Sequence, residues 1–327
     1  MAADYRVSKR SKKIFREDTD ARLTSDAQRK NNTRYLYFRK IATGGKCLIQ
    51  SCRDLHLGRV VCYKTLRPEF HDNPDEQTLF LREARVTSQL QHPNTAPVYE
   101  VGYDAHGHYY FTMKLVSGET LREVLDGLSA NDPKYTESWD LERLLDVIIQ
   151  VGQVLSYAHN LGVVHCDVKP ENIVTGAFGE VLLLDWGLAH VDLRDPPPEQ
   201  PEAESENSLH SRKSLEGTPL YMSPEQIQGT NVDGRTDIYS LGAVLFEVLT
   251  LQQMAWGNSL DEVLRNKMNG NPPTPSLVAP DRKIPMGLET LYFRCVQRDP
   301  NQRIRSTLQL IHELIYWLRT EARHRPV

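Results

Sequence analysis

The stretch His165-Cys166-Asp167-Val168-Lys169-Pro170-Glu171-Asn172 places a carboxylate, an ammonium and a carboxamide in one short polar segment. Asp185-Trp186-Gly187 begins thirteen residues after Asn172. Apolar runs at 173–174 and 181–184 lie between the two motifs and flank a polar turn at 176–180, a pattern that predicts a β-hairpin. Since a hairpin brings its two ends together, we expect Asn172 and Asp185 to lie at one edge.

The two motifs resemble those of the protein kinase family, whose catalytic loop reads H-R-D-x-x-x-x-N and whose metal-binding loop reads D-F-G. The resemblance implies that Asp167 is the base that accepts the substrate hydroxyl proton. It implies Asn172 and Asp185 as ligands of Mg²⁺, because metal ions neutralise the charge shared by the β- and γ-phosphates. Lys169 matches the lysine of Ser/Thr-directed members, which offsets charge on the γ-phosphate. A lone Asp-x-x-x-x-Asn could be any polar turn, but the Lys-Pro inside it and the Asp-x-Gly beyond it favour the catalytic interpretation.

A second pair of motifs lies upstream. Val61-Cys62-Tyr63-Lys64 resembles the V-A-x-K strand of the family, and Glu83, nineteen residues after Lys64, resembles the helix glutamate that pairs with that lysine. By this resemblance Lys64 holds the α- and β-phosphates of ATP while Glu83 orients it. Taken alone, a strand lysine and a helix glutamate are usually solvated surface charges. Their order and spacing ahead of the catalytic loop favour the functional role.

The glycine-rich loop departs from the family pattern. Ala42, Gly44 and Cys47 stand where G-x-G-x-x-G has its three glycines, so only the middle one is retained. Backbone amides approach the phosphates closely in this loop, and each added Cβ restricts the conformations that allow the approach. Because Gly44 and Gly45 remain at the tip, we expect weaker nucleotide affinity or a stiffer loop, with binding retained.

The segment Met113-Lys114-Leu115-Val116 resembles the hinge that binds adenine edge-on. The resemblance implies Met113 as gatekeeper and the backbone of Lys114 and Val116 as the groups facing the base. As a bare sequence this is only a strand end, so the interpretation depends on its position between the two pairs of motifs. The remaining residues that the resemblance adds to the nucleotide site are Ile49, Cys62 and Val174.

Later landmarks also match the family. Residues 217–225, Gly-Thr-Pro-Leu-Tyr-Met-Ser-Pro-Glu, resemble the substrate-facing loop that ends in A-P-E. Asp237 and Gly242 match the helix that anchors the catalytic loop. Arg303 is expected to pair with Glu225, a structural role in the family.

Three positions differ from the family pattern in ways that affect the regulation of activity and the coupling between the lobes. Cys166 replaces the arginine that usually pairs with an activation-loop phosphate, so that charge-assisted contact cannot form here in the same way. Trp186 replaces phenylalanine but keeps a large aromatic ring beside His165. Thr87, one helical turn after Glu83, is more polar than the aliphatic residue usual in the column that links the lobes. We expect looser coupling between the lobes and no switch through the catalytic-loop arginine.

Periodicity predicts a region of short strands followed by a region of helices. Alternating segments separated by turn residues predict the strands, and apolar stripes at helical spacing predict the helices. The predicted strands are 35–38, 47–52, 59–66, 95–102 and 109–116, and the predicted helices are 75–90, 141–158, 237–249, 259–267, 286–296 and 306–322.

The resemblance extends from about Tyr35 to Trp317 and implies an α+β, bilobal protein-kinase fold: a small antiparallel sheet with one main helix, then a larger helical lobe. Within the family, the chain is most similar in its motifs to the bacterial Hanks-type Ser/Thr kinases.

Residues 1–34 hold ten Lys/Arg against five Asp/Glu and have few apolar residues. This composition predicts a flexible basic tail, which we interpret as a solvated extension in preference to a docking arm. The expected domains are this tail, an N-lobe at 35–116, a C-lobe at 117–322 with activation segment 185–225 and disordered acidic loop 192–216, and a C-terminal tail at 323–327.

Composition limits the class of protein. The chain has 327 residues, of which 39% are hydrophobic and 25% charged, as in soluble globular proteins. A formal net charge of -4 gives no reason to expect nucleic acid as a partner. The five cysteines show no metal-ligand spacing, and no apolar run is long enough to cross a bilayer or serve as a secretory signal. The expected compartment is the cytoplasm, with reduced thiols.

These residues predict a Ser/Thr protein kinase that uses ATP and Mg²⁺, or Mn²⁺, and acts on a protein substrate, with autophosphorylation expected. The alternative is a weak or inactive kinase-fold protein that acts as a nucleotide-binding scaffold, which Ala42, Cys47 and Cys166 favour. A small-molecule phosphotransferase is disfavoured because segment 217–225 serves to hold a peptide. The sequence leaves the substrate, upstream signal and oligomeric state open.

Overall fold

The computed structural model describes residues 34–191, 219–254, 257 and 259–320. They form two compact units. The first comprises the described residues up to 91 together with 95–119 and 176–178, and the second comprises 92–94, 120–175 and the described residues from 179 onward. The predicted basic tail apart from Arg34, the acidic loop and the C-terminal tail lie outside the described residues. The predicted lobe bounds stay a prediction.

The first unit is a five-stranded antiparallel sheet with one helix. Its strands follow the order β1-β2-β3-β5-β4 across the sheet. Helix α1 begins after Asn73, whose side chain accepts hydrogen bonds from the N–H groups of Asp75 and Glu76, and Pro74 occupies its first turn. The elements are β1 (Tyr35–Thr43), β2 (Cys47–Asp54), β3 (Arg59–Leu66), α1 (Pro74–Gln89), β4 (Val98–Tyr103) and β5 (Tyr109–Lys114).

One apolar cluster joins α1 to the sheet. Phe80 and Ala84 of the helix pack against Leu66 of β3 and Phe111 of β5, all four buried. Fully burying a side chain of the size of Phe80 stabilises the fold by about 1.5–3 kcal/mol relative to leaving it exposed. This packing therefore fixes the position of α1, which contains Glu83, relative to β3, which contains Lys64.

The second unit is mainly helical. Helix α6 is its centre, because every residue from Thr236 to Thr250 is buried. Helices α4, α9 and α10 pack on it. A two-residue strand, β6 (Glu119–Thr120), leads into this unit. Its helices are α2 (Leu121–Ser129), α3 (Pro133–Thr136), α4 (Leu141–Asn160), α5 (Pro224–Gln228), α6 (Gly234–Thr250), α7 (Leu260–Asn269), α8 (Pro275–Val278), α9 (Met286–Cys295) and α10 (Thr307–Thr320). Its short strands are β7 (Val163–Val164), β8 (Ile173–Thr175), β9 (Val181–Leu183) and β10 (His190–Val191).

A glycine lets α6 and α9 approach closely. A Cβ added at Gly242 would lie 2.5 Å from Cβ of Cys295 and 2.9 Å from Cγ1 of Val296. Real Cβ atoms do not come this near to other carbon atoms. The sequence therefore needs glycine at this position for packing.

Some predicted bounds were wrong by a few residues. The strand predicted from Thr95 begins at Val98, because the Thr95 hydroxyl donates to the Leu90 carbonyl (2.6 Å) and closes the turn after α1. The helix predicted from Asp237 begins at Gly234, since Asp233 caps it by accepting from the N–H of Arg235. Across the described ranges, no helix combines the length and apolar character needed to cross a membrane.

Candidate active site

The loop after β7 brings three predicted site residues of the second unit together. Asp167 Oδ2 accepts a hydrogen bond from Lys169 Nζ at 2.6 Å and another from Asn172 Nδ2 at 3.0 Å. Asn172 Nδ2 also donates to the backbone carbonyl of Asp167 at 2.9 Å. The carboxylate is thus fixed by an ammonium and an amide, which limits the directions that it can face.

Asp237 of α6 fixes the backbone of this loop through hydrogen bonds. Its carboxylate accepts from the N–H groups of His165 (2.8 Å) and Cys166 (2.9 Å) and contacts Nε2 of His159 (2.8 Å). Cys166 has φ of 65°, a left-handed conformation that is uncommon for residues other than glycine. The bond to Asp237 holds Cys166 there, so the backbone just before Asp167 is rigid.

The predicted hairpin is present. Strands β8 and β9 pair antiparallel, with Ile173 opposite Leu183, and the N–H of Leu184 donates to the carbonyl of Asn172 at 2.8 Å. Asp185 follows directly, with φ of 66°. The hairpin therefore places the backbone of Asp185 next to that of Asn172, as the spacing predicts.

Trp186 packs against the catalytic loop. Its ring centroid lies 4.4 Å from that of His165, whose Nε2 lies 3.1 Å from the carbonyl oxygen of Leu184. Trp186 is buried, and its indole N–H has no hydrogen-bond partner among the described residues. The predicted aromatic contact with His165 is present.

The donor set of Asn172 and Asp185 fits Mg²⁺. Both acceptors of Asn172 Nδ2 belong to Asp167, which orients the amide and leaves its Oδ1 for another partner. Carboxylate and amide oxygens are ligands that Mg²⁺ prefers, with phosphates and water completing its shell. Groups of three or more His, Cys, Asp or Glu side chains that could hold a metal are absent from the described part of the chain.

In the first unit, Lys64 and Glu83 form a tight pair. Lys64 Nζ lies 2.5 Å from Oε1 and 2.7 Å from Oε2 of Glu83, with only 11% and 12% of the two side chains exposed. Thr87, one turn along α1, donates its hydroxyl to the carbonyl of Glu83 at 2.8 Å and is buried. The pair joins β3 to α1 as the spacing predicts.

The degenerate glycine loop is a hydrogen-bonded turn. The N–H of Gly44 donates to the carbonyl of Cys47 (2.9 Å), and Arg67 donates to the carbonyl of Gly45 (3.0 Å). Lys46 Nζ lies 2.8 Å from Oε1 of Glu76 on α1. Sequence reasoning missed Arg67 and the pair of Lys46 with Glu76, although a cation at the loop tip was a visible signal. Of the two alternatives that the sequence left open, weaker nucleotide affinity or a stiffer loop, these bonds favour the stiffer loop.

Other predicted nucleotide residues occupy the same sheet. Ala42 pairs with Ile49, and Ile49 pairs with Lys64, so the three form one row across β1, β2 and β3. Met113 pairs with Cys62 on the neighbouring strand.

The end of β5 carries the predicted hinge. The N–H of Lys114 donates to the carbonyl of Pro97 at 3.0 Å, and Val116 follows the last strand residue by two. Val174 lies in the second unit, buried on β8. Each unit thus contains part of the predicted nucleotide set.

The predicted pair of Glu225 with Arg303 is present and buried. The guanidinium donates to both carboxylate oxygens at 2.7 Å, and Thr236 Oγ1 donates to Oε1 at 2.9 Å. Burial alone would raise the pKa of Glu225, but the hydrogen bonds and positive charge of Arg303, together with hydrogen bonds from the backbone and from Thr236, lower that pKa. Gly217 and Thr218 of the predicted substrate-facing loop lie outside the described residues, which resume at Pro219.

Comparison with known proteins decides the family. Residues 35–315 match the family model described as protein kinase domain. The chain belongs to the protein kinase family. The predicted family and α+β fold class are thereby confirmed.

Among the curated relatives of this chain are bacterial Hanks-type Ser/Thr kinases. The serine/threonine-protein kinase PknD of Protochlamydia amoebophila is 35% identical over 295 residues, covering 87% of this chain and 30% of the relative. PknD of Chlamydia caviae is 33% identical over 298 residues, covering 85% and 30%. PknB of Mycobacterium tuberculosis is 32% identical over 275 residues, covering 83% and 41%. The chain spans about a third of the length of the PknD relatives that it matches.

Sequence reasoning missed several contacts at and near the segment predicted to face the substrate. Ser223 and Gln226 form a capping box at the start of α5, and Gln226 Nε2 also donates to the carbonyl of Cys166 at 2.7 Å. The S-x-x-Q spacing was a readable signal for the box. Arg122 donates to both carboxylate oxygens of buried Glu247, at 2.6 and 2.8 Å, for which the sequence carries no local signal.

Proposed function

We propose that this chain is a Ser/Thr protein kinase that transfers the γ-phosphoryl group of ATP to hydroxyl groups of proteins. One observation carries the proposal: the Asp167 carboxylate is held by Lys169 and Asn172 on a loop fixed by Asp237. A general base must be oriented toward the proton that it takes, and this arrangement provides that orientation. The relatives named serine/threonine-protein kinase support the same reaction class.

Asp167 is proposed as the proton acceptor. Its bonds to Lys169 and Asn172 both use Oδ2, so Oδ1 is the oxygen that we assign to the substrate hydroxyl. The hydroxyl oxygen forms a bond to the γ-phosphorus as the bond to the bridging oxygen breaks. ADP leaves with that electron pair, and the hydroxyl proton passes to Asp167.

Phosphate alignment is proposed for Lys64. With both oxygens of Glu83 within 2.7 Å of its ammonium, Lys64 is held in one position on β3. An ordered cation suits the α- and β-phosphates of ATP. Asn172 and Asp185 are the residues that we assign to Mg²⁺, which when bound would neutralise charge on the phosphates.

Regulation is proposed to bypass the usual arginine. The backbone of Cys166 is bonded to Asp237 and Gln226, so the catalytic loop has its position without a phosphate contact at residue 166. Autophosphorylation on the serines of 205–214 is part of the proposal, as is the absence of a large activating effect.

A weak or inactive kinase-fold scaffold remains the second candidate, supported by Ala42 and Cys47 in the glycine loop. The two candidates differ in turnover. Purified protein is incubated with labelled ATP and Mg²⁺ or Mn²⁺, and label is followed on the protein itself and on histone, a generic basic protein. Metal-dependent transfer over many turnovers supports the kinase. Nucleotide binding with no transfer to either acceptor would establish the scaffold instead.

A further inference from the structure

Lys267 is a buried lysine with no role in the sites described above. It lies in α7, where Val263 is the other buried residue, one helical turn earlier. Lys267 is only 1% exposed. Lysine is almost never fully buried unless it is paired, and an apolar side chain would fill this place without taking an ammonium out of water. A bonding role for the ammonium explains its burial.

The ammonium bridges two backbone carbonyls of the segment that precedes α5. Lys267 Nζ donates to the carbonyl of Leu220 at 2.7 Å and to that of Met222 at 2.8 Å. It also lies 5.1 Å from the ring centroid of Tyr239, a distance that suits a cation–π contact. The side-chain nitrogen of lysine has three N–H donors when protonated and two when neutral, so in either state it can donate to both carbonyls. The backbone is thus fixed on both sides of Tyr221.

Tyr221 is fixed independently. Its carbonyl accepts from the hydroxyl of Ser240 at 2.8 Å, and its own hydroxyl donates to Glu247 at 2.7 Å. Arg122 reaches the same Tyr221 hydroxyl at 2.7 Å. Three successive carbonyls, at 220, 221 and 222, are therefore bonded to side chains of α6 and α7.

Residues 220–222 are linked to the proposed base through α5. Met222 precedes Ser223, the N-cap of α5, whose capping-box partner Gln226 donates to the carbonyl of Cys166. Cys166 is the residue before Asp167. A shift of the Met222 backbone would therefore disturb the start of α5 and its bond to Cys166, the residue before the proposed base.

We propose that Lys267 is a positioning residue for the protein substrate, because it fixes the 220–222 backbone, part of the segment that we assign to the acceptor peptide. This inference rests on the proposed kinase function and deepens it. Lys267 touches neither nucleotide nor reacting atoms in this proposal. Its loss should therefore act on the protein substrate far more than on ATP.

The test uses Lys267→Met, which keeps most of the stem and removes the donors. Lys134→Met, on the exposed α3, is the matched control for loss of a lysine charge. Steady-state transfer to histone is measured against histone and ATP concentration, and ATP hydrolysis is measured without histone. For Lys267→Met the KM for histone should rise about tenfold or more, while the KM for ATP and the hydrolysis rate change less than about twofold. Lys134→Met should match the wild type.

The outcomes separate this inference from the proposed function. A wild-type protein that transfers no phosphate overturns both. A transferring wild type together with an unchanged histone KM in Lys267→Met overturns the inference alone, as does a parallel loss of ATP hydrolysis. If Lys267→Met does not fold, Lys267→Gln keeps an amide NH2 group that can donate to the carbonyls, on a shorter and uncharged side chain. In Lys267→Gln the KM for histone should rise less than in Lys267→Met, and the KM for ATP should again stay nearly unchanged. A histone KM equal to that of wild type would overturn the inference.

Discussion

The side-chain nitrogen of Asn172 lies 3.0 Å from Oδ2 of Asp167 and 2.9 Å from the Asp167 carbonyl oxygen. One amide therefore orients the proposed base through its nitrogen, and its oxygen is the atom that we assign to a cation. The same residue accepts the N–H of Leu184 at its carbonyl, which places Asp185 alongside. The proposed proton acceptor Asp167 and the proposed metal ligand Asn172 are in this way parts of one hydrogen-bonded unit, and Asp185 follows Leu184 in the chain.

Lys64→Met should lower turnover by on the order of 100-fold or more and change the KM for ATP much less, because phosphate alignment affects the barrier more than binding does. Glu83→Gln should act in the same direction, since Lys64 then loses its charged partner. Lys40→Met, on an exposed position of β1, serves as the control. Full turnover in Lys64→Met would show that the pair with Glu83 is structural only.

Lys267 should make stability depend on pH. Burial lowers the pKa of Lys267 to about 7, whereas an unfolded lysine keeps its proton up to about pH 10.4. Between these values the unfolded chain binds one more proton, so raising the pH favours the folded state.

The measurement is urea unfolding of wild type and Lys267→Met at pH 7, 8 and 9. The difference in free energy of unfolding should move in favour of the wild type by up to about 1.4 kcal/mol per pH unit. A difference that stays constant across this range would mean that Lys267 keeps its proton in the folded protein.

Gly242→Ala should destabilise the second unit by about 1–3 kcal/mol, because the new Cβ would lie 2.5 Å from Cβ of Cys295 and force α6 from α9. Gly45→Ala is the control, since no heavy atom lies within 4 Å of its added Cβ. Thermal and urea unfolding measure both. Equal stability of the two variants would contradict the close approach of α6 to α9.

Phosphates on Ser205, Ser208, Ser211 or Ser214 should raise activity little, because Cys166 offers a phosphate no cation. Mass spectrometry locates the phosphates, and phosphatase treatment should change turnover on histone by less than about tenfold, roughly 1.4 kcal/mol in barrier. Cys166→Arg should make activity more sensitive to the same treatment. Near-complete loss of wild-type activity on dephosphorylation would show that another basic residue reads the phosphate.

The sequence predicts best what is close in the chain or fixed by element spacing. Asp167 and Asn172 meet across one loop, and Lys64 meets Glu83 because a strand and the next helix set their distance. The contacts of Lys267 could not be predicted from the sequence, since its partners lie 45 and 47 residues away. They are backbone carbonyls, which every residue has, so no residue type marks them. Burial of that lysine follows from how α7 packs, which periodicity does not specify.

The most direct test of the proposed function compares Asp167→Asn with wild type in phosphate transfer from Mg-ATP to histone. The amide keeps the size of the side chain but cannot accept the hydroxyl proton, so turnover should fall by about 10²–10⁴-fold. Binding of Mg-ATP, read as a rise in Tm, should be retained, because Asp185 and Lys64 are unchanged. Turnover in Asp167→Asn within a few-fold of wild type would contradict the assignment of Asp167 as the base and the mechanism built on it.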